Sequence, residues 1–274
     1  MNRAATSLMM RLKIIQSALM LAFLFGFNSL SAENHKEERV NNEFKLLVTS
    51  LNSNATLKLL KLNRLTAKKE VVYYFDTQDK QLQSQNLILR ARQIEDQTGD
   101  STVKIRVSAE AHKWSDQELA LPPEQDWITK VAPTIARSLS RKDLEICMFN
   151  NVASGSMQVS TLFTEPQRQL VETRMLDFDW ANLKRFGPVQ AEVWTRQAIL
   201  PGFDQAITVE LWRMQQDDRY QEILEVSAKV RTENNMQAKL LAIQFFSAAK
   251  SLGLGEPDDQ SKTKLVMDFF KPTL

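Results

Sequence analysis

Leu89-Arg90-Ala91-Arg92 and Val103-Lys104-Ile105-Arg106, both inside the stretch Val71–Val107, each set two cationic side chains two residues apart among apolar and small neighbours. A strand turns successive side chains to opposite faces, so Arg90 shares a face with Arg92, and Lys104 with Arg106. The polar loop Glu95-Asp96-Gln97-Thr98-Gly99-Asp100 between them predicts a hairpin of Leu87–Gln93 with Ser101–Ser108. Each strand then has one cationic face and one greasy face.

Outward from this hairpin the pattern recurs with both signs of charge. Glu43 and Lys45, Glu172 and Arg174, Glu210 and Trp212, and Glu225, Ser227 and Lys229 alternate in strand-like runs, and Val189–Ile199 puts Gln190, Glu192, Trp194 and Arg196 on one face. A closed barrel with a charged lumen produces this pattern. So do solvated faces carrying scattered surface ion pairs worth little. Periodicity alone leaves both open.

The remaining segments read as follows. Strands are expected at Glu43–Thr49, Val71–Phe75, Glu145–Phe149, Met157–Phe163, Gln169–Met175, Ile207–Met214 and Glu222–Val230. Asn54–Leu65, with Leu57, Leu60 and Leu62 among lysines, predicts a short helix on the outside of a sheet. Pro122-Pro123 breaks the chain before Asp126–Ser138, where Trp127, Val131, Ile135 and Leu139 fall at helical spacing around Pro133. Asn235–Lys250 carries Met236, Leu240, Ile243 and Phe246 and runs out near Gly253, and Lys264–Phe270 is a further helix. The strands number about eight or nine, close to what encloses one small ligand.

Of the 274 residues, 43% are hydrophobic and 25% charged, a globular composition. Met1–Ala32 reads as a cleaved targeting segment: Arg3, Arg11 and Lys13, then the apolar run Ala18–Phe27, then Leu30-Ser31-Ala32 ending on a small residue. The run is short for a membrane span. The reading implies an exported chain, periplasmic or secreted, with a polar leader over residues 33–42 and a single domain over 43–274. Without those first residues the 35 basic and 33 acidic side chains come close to balance, which gives no footing for generic nucleic-acid binding. Cys147 is the only cysteine, so no intrachain disulfide forms. His35 and His112 are the only histidines, and the seven glycines form neither a phosphate loop nor a dinucleotide fingerprint, which argues against a histidine zinc site, a Ser-His-Asp triad and nucleotide folds of those kinds.

Tyr73-Tyr74-Phe75-Asp76-Thr77, the two cationic strands, Phe186-Gly187-Pro188-Val189, Pro201-Gly202-Phe203-Asp204, Val209-Glu210-Leu211-Trp212 and Ile223-Leu224-Glu225-Val226-Ser227-Ala228-Lys229 together resemble a bacterial branch of the CYTH domain, the triphosphate tunnel metalloenzyme fold. The resemblance implies an α+β fold: an antiparallel, closed or nearly closed eight-stranded barrel with flanking helices and a charged tunnel. It implies phosphate binding by Arg90, Arg92, Lys104 and Arg106, with Arg174 and Arg196 as weaker additions, because guanidinium forks and ammonium groups suit phosphate oxygens. Glu43, Glu210 and Glu225 become ligands for Mg²⁺ or Mn²⁺, and Glu43, Lys45 and Lys229 catalytic. Trp194 and Trp212 are candidates for the lumen wall.

The family signature on the first strand is Glu-x-Glu-x-Lys. The register that keeps Glu43 and Lys45 puts Asn41 at the first glutamate, with a carbonyl but no charge. The leading expectation is a divalent-metal-dependent hydrolase of inorganic triphosphate, short polyphosphate or a nucleoside triphosphate. The alternatives are a phosphate-binding protein without turnover and an activity like that of class IV adenylate cyclases. A small phosphorylated substrate is the partner in each.

Overall fold

The computed structural model describes residues 39–49, 51–108, 113–257 and 260–271. The expected targeting segment Met1–Ala32 lies outside them. Nine strands close into a barrel: β1 (Val40–Leu47), β2 (Lys68–Asp76), β3 (Leu87–Ile94), β4 (Gln97–Ser108), β5 (Pro123–Trp127), β6 (Thr134–Leu144), β7 (Lys184–Leu200), β8 (Phe203–Gln216) and β9 (Arg219–Thr232). Their order around the barrel is β1-β5-β6-β4-β3-β2-β7-β8-β9, and β9 pairs back onto β1, so no edge is left open. The expected barrel is therefore present with one strand more than eight. Its single parallel pairing joins β1 to β5.

Packing decides which face of each strand points inward. The greasy face of the hairpin, Leu87, Leu89 and Ala91 with Val103, Ile105 and Val107, is buried outside the barrel beneath Phe149, Leu170 and Val171. Those three residues come from α4 (Ile146–Ala153) and α5 (Glu165–Glu172). Phe44 and Leu46 of β1 are likewise buried beneath Phe245 and Phe246 of α6 (Asn235–Ser251), with α1 (Ser53–Leu59) adding Leu57. Apolar burial at roughly 25 cal/mol per Å² pulls these faces under the helices, and the charged faces are left to line the interior. A third cluster joins Tyr74, Phe186, Trp212 and Met214 to Val266, Phe269 and Phe270 at α7 (Lys262–Phe269).

Two local devices hold the cationic strands. Asp76, buried at the end of β2, accepts hydrogen bonds from the backbone N–H groups of Thr77 (2.7 Å), Leu82 (2.8 Å) and Gln83 (3.0 Å). It thereby fixes the turn into α2 (Gln81–Ser84) that leads to β3. At the hairpin, a Cβ on Gly99 would run into the carbonyl oxygen of Arg92, so the loop glycine permits the close approach of β3 and β4.

The middle of the chain differs from the sequence expectation. Asp126–Ser138 is not a helix but the end of β5 and the start of β6, with α3 (Asp116–Leu119) before it. A spacing of four is also a multiple of two, so Ile135 and Leu139 share a strand face as readily as a helix face. Glu145–Phe149 and Met157–Phe163 are α4 and a 3-10 turn at Val159–Leu162, and Gln169–Met175 belongs largely to α5. Thr164 caps α5 with Gln167 in a reciprocal capping box, and a proline stands in the first turn.

Candidate functional site

The barrel encloses a cavity of about 350 Å³. Among the described residues, eight basic side chains and four acidic ones line it. Arg90 and Arg92 enter from β3, Lys104 and Arg106 from β4, Lys142 from β6, Lys45 from β1 and Lys229 from β9. Its size lies within the usual range for ligand pockets of roughly 300–1,000 Å³. Seven barrel cations crowded at this scale repel one another, and the arrangement of anions among them decides what remains for a ligand.

Asp126 carries most of that compensation. Its buried carboxylate accepts Arg106 Nε at 2.8 Å and pairs with Lys45 at 3.0 Å and Lys104 at 3.1 Å. Burial pushes the Asp126 carboxyl up, but Lys45, Lys104 and Arg106 outweigh burial and hold it far below the ordinary carboxylate range. Glu43 pairs with Lys45 at 2.7 Å and faces Lys229 at 3.6 Å. Burial raises its pKa, and Lys45, Lys229 and Lys104 bring it down to about 2. Burial lowers Lys45, but Glu43 and Asp126 reverse that and keep it protonated. Lys104 moves the other way: burial, then its neighbour Lys45, lowers its pKa.

Of the residues singled out from sequence, Glu43, Lys45, Arg90, Arg92, Lys104, Arg106, Glu210, Glu225 and Lys229 all line the cavity. Their surroundings differ. Arg92 is engaged by Glu70 and Asp100, whereas the buried Nε of Arg90 has no hydrogen-bond partner. Trp212 is on the inner face, with Nε1 donating to Glu210 at 2.8 Å. Trp194 is not: it is packed in the cluster under α6 and donates to the Asn63 carbonyl.

Two candidates lie elsewhere. Arg174 follows α5 on the outside and pairs with Glu118 and the Gln85 carbonyl, because its segment is helical and does not alternate inward. Arg196 is exposed at a β-bulge between Trp194 and Ala198, with φ of 55°, and the face it shared on paper with Glu192 is the barrel exterior. Sequence reading missed Glu124, Asp126, Lys142 and Lys262. Asp126 opened the segment read as a helix, Glu124 stood just before it after the proline pair, and Lys262 stood just before the helix expected at Lys264–Phe270.

Glu43, Glu124 and Asp126 present carboxylate oxygens that all lie within 4.8 Å of one another. Oxygen donors at this separation fit a hard divalent cation such as Mg²⁺ or Mn²⁺. The parallel β1–β5 pairing makes the group: Asn41 is registered with Glu124 and Glu43 with Asp126. The charge that Asn41 does not bring to β1 is thus present on the adjoining strand, while Asn41 itself accepts from Arg231. The expected ligands Glu43, Glu210 and Glu225 all line the cavity; burial raises the Glu210 pKa, Lys262 outweighs it, and the charge of Glu43 adds a smaller upward push. Glu210 and Glu225 are bridged by the ammonium of Lys262 at 2.5 and 2.8 Å.

The family model of the CYTH domain matches residues 40–209, from the first barrel strand into β8. The chain belongs to the CYTH domain family. No curated protein matches the sequence. Among solved structures, this CYTH protein is similar to a Bacillus halodurans protein provisionally named an adenylate cyclase, at 15% identity and a TM-score of 0.54, covering 84% of this chain and 97% of that one. It is similar at 15% identity and a TM-score of 0.53 to a Hippeastrum protein provisionally named an adenylyl cyclase and described as having a dominant triphosphatase activity, covering 82% and 94%. At these identities the likeness concerns the fold. No helix among the described residues is long and apolar enough to cross a membrane.

Proposed function

We propose that this CYTH protein binds a triphosphate in its tunnel and hydrolyses it with a divalent cation, acting on inorganic triphosphate, short polyphosphate or a nucleoside triphosphate. The observation that carries this reading is the excess of basic over acidic side chains around a ligand-sized cavity. A polyanion neutralises that excess. Arg90, whose Nε is buried without a partner, is the cation most in need of one. Lys104 and Arg106, already aligned by Asp126, complete the phosphate cradle, and Arg92 and Lys142 extend it.

Phosphoryl transfer is chiefly positioning and charge stabilisation, and the chain's own groups are set for that work. Glu43 stays ionised at neutral pH, so its oxygens act as ligands or acceptors and not as proton donors. Lys45 stays protonated, so its Nζ is a fixed positive charge beside the phosphates and not a base. Lys229 pairs with Glu43 and Glu124 at the more open side and orients the acidic group. Glu43, Glu124 and Asp126 would hold the divalent ion. Its contribution there is Lewis-acid polarisation of a phosphoryl oxygen. The triphosphatase activity described for the Hippeastrum neighbour favours hydrolysis over cyclisation of ATP. With Met1–Ala32 read as a targeting segment, we place the reaction outside the cytoplasm.

Binding without turnover is the second reading, and Asn41 on β1 favours it by removing one charge from the family signature. Phosphate release from tripolyphosphate and from ATP, with Mg²⁺ or Mn²⁺ and with chelator, separates the two. Metal-dependent release supports the hydrolase. A rise in melting temperature with tripolyphosphate but no release supports binding alone.

A further inference from the structure

Glu210 and Glu225 stand directly opposite each other on β8 and β9. Two carboxylates so placed inside a barrel repel unless a cation lies between them. The chain supplies one itself. Lys262 Nζ bonds to Glu210 at 2.5 Å and Glu225 at 2.8 Å, and lies 4.1 Å from the centroid of the Trp212 ring, whose Nε1 binds the same Glu210. Lys262 is the first residue of α7, so the start of that helix is drawn into the cavity, where Ser261 and Thr263 also line the wall. The far end of α7 is held by Phe269 and Phe270 in the apolar cluster and by Asp268 with Lys80 at 2.9 Å.

We propose that α7 is a latch built into the tunnel: Lys262 holds the Glu210–Glu225 pair in place of an external cation, and a divalent ion reaches the pair only when the first turn of α7 leaves the cavity. The apolar anchor at Phe269 and Phe270 lets that turn move while the end of the helix stays attached. Lys262, once released, remains beside the cavity as a free cation for the incoming phosphates. The latch deepens the proposed metal-dependent hydrolysis and rests on it for its purpose, but not for its test, which needs no substrate and no turnover.

The test is Mn²⁺ binding to the full folded chain, followed by loss of the free-ion paramagnetic signal. Lys262→Met removes the competing ammonium and is expected to bind Mn²⁺ at least ~10-fold more tightly than wild type. Adding Glu225→Gln to Lys262→Met should erase the gain, and Lys262→Arg, which keeps a cation, should resemble wild type. Hydrogen exchange on the unmodified chain gives an independent readout should Lys262→Met fold poorly: saturating Mn²⁺ should speed exchange in the first turn of α7, at Lys264 and Leu265, whose N–H groups bond to Ser261, and leave Phe269, β3 and β4 unchanged. Equal or weaker Mn²⁺ binding by Lys262→Met overturns the latch, as does unchanged exchange in the first turn of α7. Absence of phosphate release from any substrate would count against the hydrolase alone.

Discussion

Arg106 Nε donates to Asp126 Oδ2 at 2.8 Å, and the same carboxylate pairs with Lys45 and Lys104, so one buried anion holds three cations in the barrel wall. Removing its charge takes the ion-pair partner from Arg106 and leaves Lys45 and Lys104 to Glu43 and Glu124 alone. Asp126→Asn should lower stability by about 3–5 kcal/mol, the usual cost of leaving buried charge uncompensated. Tripolyphosphate brings negative charge to the same place. It should therefore raise the melting temperature of Asp126→Asn by more than that of wild type, as thermal unfolding with and without the anion would show.

Arg90 presents the opposite case. Its Nε is buried without a hydrogen-bond partner, and its charge acts on Asp100 through space, behind the direct pair that Arg92 makes with the same carboxylate. Arg90→Met should leave stability within about 0.5 kcal/mol of wild type. The same substitution should weaken tripolyphosphate binding by about 10- to 100-fold, the equivalent of losing a charge-assisted hydrogen bond. Chemical denaturation and calorimetric titration of the one variant check both halves.

Acid should loosen the barrel. Glu43 sits at about 2 in the folded chain against an ordinary value of 4.5. Its stabilising contribution is therefore fully present above the ordinary value and is lost as pH falls from there towards the folded one. The melting temperature should drop between about pH 5 and about pH 3, and Glu43→Gln should make that slope shallower. Scans at a series of pH values decide it.

Arg174 and Arg196 should prove irrelevant to the ligand. Arg174→Ala breaks the buried pair with Glu118 and should cost about 2–3 kcal/mol without changing tripolyphosphate affinity. Arg196→Gly relieves a positive φ and should be neutral or up to about 1 kcal/mol stabilising, again with unchanged affinity. An affinity loss in either variant would place these residues nearer the ligand than the fold allows.

The hairpin of Arg90, Arg92, Lys104 and Arg106 was legible because a strict period of two over short runs admits little but a strand. Whether its charged face pointed inward was not, since that depends on α4 and α5 covering its apolar face from a later part of the chain. Asp126 escaped notice because Trp127, Val131, Ile135 and Leu139 satisfy a helical and a strand period at once. Arg174 was misplaced although Thr164-Glu165-Pro166-Gln167 carries the capping box and early proline of a helix start. Lys262 has no local signal: its partners lie on β8 and β9, and only the seating of α7 by Phe269 and Phe270 brings it to them.

The central claim, that the tunnel is a triphosphate site, is tested most directly by calorimetric titration of tripolyphosphate into the wild-type chain and Lys104→Ala. The account predicts saturable binding of one anion per chain, weakened at least ~10-fold by Lys104→Ala. No binding to wild type, or equal binding by the two proteins, would contradict it.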